Sequence, residues 1–238
     1  MFVTALCKVY PDGDAVGDRL LRDFGVLARH LGGDLIVFAD EHYHPLIRDA
    51  NVRRVVKVAI EELAIYNEIV GRAPALPRFR NAAKDTLEYL ALMNTKVEFL
   101  TRALPYTDQD LIWLDAGVDK VFRNPGPTYR RLQSFVHDQR YDVAVGGCHQ
   151  DAFSYEQLVE CVRWNFLGGL IVVKRSFVVE FMDRNIRSIR RFLERGDITW
   201  EVNVWVDVFQ ATHTNALWYR ADHDDSLACV PYERGLVR

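Results

Sequence analysis

A chain of 238 residues, 49% hydrophobic and 26% charged, can bury one large α/β core without disulfide or metal staples. Its formal net charge of −3 gives no basic surplus for generic nucleic-acid binding, so no nucleic-acid partner is expected. Cys7, Cys148, Cys161 and Cys229 form no C-x-x-C pair and no apolar stretch is long enough to span a bilayer, which together predict a reduced protein of cytoplasmic location, with peripheral contact at the inner membrane face left open.

Residues 2–9 form an apolar, β-branched run closed by Pro11-Asp12-Gly13-Asp14, which predicts a strand and a turn. Leu20, Leu21, Phe24, Leu27 and Leu31 recur at helical spacing across 17–31, and Gly32-Gly33 stops that helix. A second strand is predicted at 35–39, a short helix at 44–50 and a third strand at 52–58. This β-α-β-α-β order predicts a parallel sheet with right-handed crossovers. Residues 60–77 are less regular, whereas 83–104 carry a long helical pattern through Leu87, Leu90, Val97, Leu100 and Leu104. Leu111-Ile112-Trp113-Leu114 reads as a short buried strand running into Asp115. Then follow a proline-opened helix at 127–139, strands at 142–145 and 170–173, an amphipathic helix at 176–195, a helix at 200–210 and a last strand at 216–220. The expected architecture is a single domain with a mostly parallel central sheet, Rossmann-like, flanked by helices. Residues 1–125 would form the nucleotide-binding half and 126–238 the acceptor side.

Open parallel sheets bind ligands at the carboxyl ends of their strands. That rule picks out residues 10–14, 40–44, 115–120 and 149–151, and among them Asp115 stands out, preceded by four apolar residues and followed by Ala116-Gly117. Such a carboxylate either holds a cation that clamps a diphosphate or hydrogen-bonds its own turn. Asp12-x-Asp14 imitates part of a calcium loop without its closing glutamate, and reads as a solvated turn. His42-x-His44 has no third ligand at a recognisable spacing. The chain contains no G-x-G-x-x-G, no P-loop and no G-x-S-x-G, which argues against dehydrogenases, kinases and α/β-hydrolases.

The string Lys84-Asp85-Thr86-x-Glu88-Tyr89-x-x-Leu92-x-Asn94-x-Lys96, followed by Ile112-Trp113-Leu114-Asp115-Ala116-Gly117, resembles the HtrL/YibB-like bacterial family. That family is similar to GT-A-type glycosyltransferases, several of its members being linked to surface-polysaccharide loci. Segments at 2–6, 166–172 and 200–224 agree with it in order, so the resemblance covers nearly the whole chain. It implies a GT-A-like fold and transfer of a sugar from a nucleotide-diphosphate sugar to a glycan or lipid-linked acceptor. Thr4 and Ala5 would lie near the nucleotide, Asn94 and Lys96 near the donor, and Gly168 and Gly169 would bring backbone against the donor sugar. Asp115 and a late histidine, His223, would hold Mn²⁺ or Mg²⁺, and Glu201 would face the acceptor hydroxyl as base or orienting group. The family's usual Asp-x-Asp is here Asp115-Ala116-Gly117, one carboxylate short.

Lys84 and Lys96 compete for the diphosphate. On one unbroken helix they would stand ~18 Å apart at 1.5 Å per residue, so only a break near Asn94 puts Lys96 at the Asp115 end. The resemblance favours Lys96. On the helix at 176–195, Arg184, Arg187, Arg191 and Arg195 form a stripe that is either a solvated face or a contact for anionic lipid. The missing second aspartate also admits a domain that binds nucleotide or glycan without turnover. The sheet and metal logic further admits a nucleotidyltransferase.

Overall fold

A computed structural model describes residues 1–9, 15–135 and 138–231; the Asp12-x-Asp14 turn lies outside the described residues. In chain order the elements are β1 (Phe2–Leu6), α1 (Ala15–Leu31), β2 (Leu35–Ala39), α2 (His44–Ile47), β3 (Arg54–Lys57), α3 (Ala64–Arg72), α4 (Leu87–Asn94), α5 (Lys96–Ala103), β4 (Leu111–Leu114), α6 (Pro125–Gln133), β5 (Val143–Gly147), α7 (Tyr155–Glu160), β6 (Leu170–Val173), α8 (Val178–Glu194), α9 (Glu201–Ala211) and β7 (Ala216–Arg220). The strands form one sheet in the order β3-β2-β1-β4-β6-β5-β7. Six of them share one direction in two blocks, β3-β2-β1-β4 and β5-β7, with β6 antiparallel between the blocks.

The strands are apolar throughout because helices cover both faces of the sheet. Val3, Ile36, Phe38, Trp113, Val145 and Ile171 face a core closed by α3, α4, α5, α8 and α9. Phe2, Leu6, Val37, Leu114, Ala144 and Val172 face a second core closed by α1, α6 and the 3₁₀ turn Asp225–Ala228. The architecture is thus a three-layer α/β sandwich.

One open alternative is decided and two helices are added. The helical pattern across 83–104 is two helices, α4 and α5, meeting at Thr95. Residues 60–77 contain a helix after all, α3, whose first N–H groups at Ala64 and Ile65 donate to the buried Glu98 carboxylate, 3.1 Å each. A further short helix, α7, starts from a capping box of Ser154 and Gln157.

The arginine stripe on α8 is largely consumed inside the protein. Arg184 donates to Glu180, Thr212 and Thr214, Arg191 pairs with Asp207, and the Arg195 guanidinium stacks 4.1 Å over the Tyr155 ring. Arg187 is exposed. Among the described residues, no helix is long and apolar enough to cross a membrane.

Candidate functional site

Successive strands run outward from β1 through β2 to β3, and the chain then returns to place β4 on the other side of β1. The strand order therefore reverses between β1 and β4, the switch point outside whose carboxyl ends open α/β sheets form their ligand crevice. Asp115 stands at the end of β4, at this switch point, with its side chain about one-third (35%) exposed.

Behind Asp115 lies a fully buried lysine. Lys96 Nζ is 2.9 Å from Asp115 Oδ1 and 2.7 Å from Glu201 Oε1, and it donates to the Gly168 carbonyl at 2.9 Å. The Trp113 indole N–H donates to the same Asp115 oxygen at 2.7 Å. Burial pushes the Lys96 amine down, but Asp115 and Glu201 more than offset this and hold it above the ordinary lysine value. Lys96 is therefore the charged partner of two carboxylates that come from distant parts of the chain.

Local chemistry explains how the sequence brings these groups together. Asn94 turns its amide back to the Leu90 carbonyl and across to the Thr199 carbonyl, while the Thr95 hydroxyl bonds the Leu92 carbonyl. Side-chain bonds of this kind compete with the backbone ladder and bend a helix. Thr95, at φ −83° and ψ −1°, takes the bend, and α5 starts on the far side with Lys96. Glu201 is the first residue of α9, where the helix dipole favours a carboxylate. Gly168 is required by packing: a Cβ there would fall 2.2 Å from Glu201 Oε1 and 3.1 Å from Lys96 Nζ.

These contacts revise several expected roles. A lysine ammonium has three protons, and Lys96 has three acceptors within the protein, which leaves none for a diphosphate. Gly168 makes room for Glu201, and Gly169 faces Leu227 and Val118, so these glycines serve packing on the sides where a Cβ would stand. Asn94, 3% exposed, is the bend itself. Thr4 is enclosed in mid-strand with its hydroxyl unpartnered, and Ala5 packs on the helical core, so neither stands at the strand end. Glu201, with its side chain 9% exposed, is held by Lys96.

Other cations lie near Asp115, within electrostatic reach of one another. The Lys120 ammonium lies 3.9 Å from where a Cβ on Gly117 would stand, beside Asp23. Burial pushes its amine down; Lys84 and Arg19 push the same way, while Asp115 and Asp23 oppose them. Arg19 is itself 3.8 Å from Asp23. Lys84 rests over the Tyr89 ring. Lys120 closes the strand-end segment 115–120 but had no role of its own in the sequence reading; its signal was a basic residue five positions beyond a strand-end aspartate.

A divalent ion does not fit the donor set at Asp115. Hard cations take several oxygen ligands. Here one carboxylate oxygen already receives an indole N–H and an ammonium, and Gly117 supplies no second carboxylate. His223 is placed with other neighbours: its Nδ1 lies 3.4 Å from Asp222 Oδ1, and its ring meets the Trp164 ring edge-on at 4.5 Å. Cys148 joins this pair, and the three form the group of potential metal ligands found among the described residues. His42 packs edge-on against Tyr43. Asp40 caps its own turn, accepting from the Tyr43 N–H at 3.0 Å. Two open hollows, one beside Arg130 and Val230 and one beside Arg78 and Tyr155, are not lined by Asp115, Lys96 or Glu201.

No family model and no curated protein matches the chain. Solved structures similar to it include two of Rv0371c from Mycobacterium tuberculosis H37Rv, one of them a complex with manganese. The complex is 12% identical and the other 11%; each comparison covers 94% of this chain and 88% of that one, with a TM-score of 0.42.

Proposed function

We propose that the protein is a glycosyltransferase that takes a nucleotide-diphosphate sugar into the crevice between the ends of β1 and β4. The observation that carries this reading is Asp115, a partly exposed carboxylate fixed at the switch point by Trp113 and the buried Lys96. Preorganised charge at a partly buried strand end is what a transfer with charge developing on a leaving group needs. Asp115 Oδ1 takes both internal donors, so its other oxygen serves the ligand, accepting a hydroxyl from the donor or acceptor sugar. The leaving diphosphate is neutralised by Lys120, with Lys84 and Arg19 adding to the positive field. Lys96 and Glu201 are positioning residues: they set the carboxylate and the Gly168 backbone and do not touch substrate. The acceptor is a glycan or a lipid-linked sugar, as the family resemblance implies.

The test is release of nucleoside diphosphate from a panel of nucleotide sugars, with and without chelator. The wild-type protein is expected to release it, slowly without acceptor. Asp115→Asn is expected to lower the rate by about 10²-fold or more with the thermal midpoint little changed. Full turnover in that variant sinks the role given to Asp115. Pyrophosphate released from a nucleoside triphosphate would assign a nucleotidyltransferase instead. The saturated Lys96 centre also suits a domain that binds without turnover. Nucleotide-induced thermal stabilisation with no release under any metal would select that second reading.

A further inference from the structure

β5 and β7 pair in parallel register, with Gly147 opposite Arg220, so the chain leaves both strands side by side at the ligand edge of the sheet. Cys148 follows directly from β5, and Asp222 and His223 follow β7 after Ala221. Their ligand atoms all lie within 4.8 Å of one another. Cys148 Sγ is 3.8 Å from Asp222 Oδ1, and His223 Nδ1 is 3.4 Å from the same oxygen. A tetrahedral ion with bonds of about 2.3 Å to sulfur and about 2.0–2.1 Å to nitrogen and oxygen separates its ligands by about 3.4–3.6 Å. The two spacings to Asp222 Oδ1 need a shift of only a few tenths of an ångström to match, and the spacing between Cys148 and His223, within 4.8 Å, closes by rotation of these side chains.

The backbone that carries the three ligands is fixed. The Cys148 N–H donates to the Trp164 carbonyl at 2.8 Å, the Ala221 N–H to Gly147 at 2.9 Å, and the Asp222 N–H to Ser226 Oγ at 2.9 Å. Trp164 stands edge-on against the His223 ring and limits its rotation. Asp222 and His223 alone would be an ordinary surface pair. The thiol brought beside them from another strand end gives the group a chemistry that a surface pair lacks. Thiolate and imidazole select a borderline or soft ion over magnesium or calcium. Asp222 and His223 are exposed and Cys148 half-buried, so a hydrated ion can enter and a fourth position stays open.

We infer that Cys148, Asp222 and His223 form a three-ligand site for a thiophilic divalent ion of the zinc type, with its fourth position open to water or an exogenous ligand. The site is separate from Asp115, and it does not depend on the glycosyltransferase reading.

Cobalt(II) titrated into the reduced full-length protein tests it. One equivalent is expected to give a near-ultraviolet thiolate-to-cobalt absorption with four-coordinate visible bands, and zinc should erase both. Cys148→Ser should abolish the thiolate absorption, His223→Ala should weaken binding at least about tenfold, and Cys161→Ser and Cys229→Ser should leave it intact. Absence of the absorption, or its survival in Cys148→Ser, overturns the site. A readout on the unaltered protein guards against a variant that fails to fold: zinc should slow iodoacetamide labelling of Cys148, located by mass spectrometry. Labelling at an unchanged rate counts against the site equally.

Discussion

A lysine ammonium offers three protons, and Lys96 sets them against Asp115, Glu201 and the Gly168 carbonyl at 2.7–2.9 Å. The one ammonium is the counter-charge that both carboxylates share. Replacing the lysine with a neutral side chain would leave buried charge uncompensated. Lys96→Met is therefore expected to cost about 3–5 kcal/mol, read as a lowered urea midpoint at unchanged slope. A midpoint within experimental scatter of wild type would show that the carboxylates are not held by charge. Asp115 could be found from the sequence because a single rule, strand ends bear ligands, acts within a few residues. Glu201, which shares Lys96 with Asp115, could be suspected only through the family resemblance, and the Lys96–Glu201 pairing joins positions 105 apart. Nothing local in either segment records such a contact.

At the scale of elements, strands were legible where an apolar run ends in polar or glycine-rich sequence, as at Leu114-Asp115 and Val145-Gly146-Gly147. The break between α4 and α5 was legible as one of two alternatives, since Asn94 is a residue of the N-cap type that can open a new helix. The structure chooses the break. The helix α3 was missed for a physical reason: its residues bury only Ile65 and Ile69, and its cap is supplied from α5. By contrast α7 carried a readable signal, Ser154 followed three residues later by Gln157. Glu98 ties α3 to α5 through its bonds to Ala64 and Ile65 and its ion pair with Arg102 at 2.9 Å. Glu98→Ala leaves two helix-terminal N–H groups without acceptor, and about 2 kcal/mol of stability is expected to go with them. Amide hydrogen exchange should speed first across 64–72. Faster exchange spread evenly over the molecule would mean that the cap does not govern α3.

The reversed strand β6 had no sequence signature, because Leu170-Ile171-Val172-Val173 is apolar on both faces and its pattern reads the same in either direction. Yet the reversal shapes the whole molecule: it puts the start of β6, with Gly168 and Gly169 before it, at the same edge as the ends of β4 and β5. The sheet edge thereby divides into a charged crevice at Asp115 and the Cys148 group farther along. The crevice has an electrostatic character that can be tested as a property of the assembled fold. Lys120 has its amine pushed below the ordinary lysine value by burial, then by Lys84 and Arg19. Its positive charge is fully present at lower pH and is lost earlier than an ordinary lysine's as pH rises through the lowered value. Affinity for a nucleoside diphosphate, measured by calorimetry from about pH 7 to about pH 10, is therefore expected to fall as pH rises, before free lysine would titrate. Lys120→Arg keeps its charge throughout this range and should flatten the profile. Identical profiles for the two proteins would remove Lys120 from the diphosphate site and leave Lys84 and Arg19 as the cations to replace next.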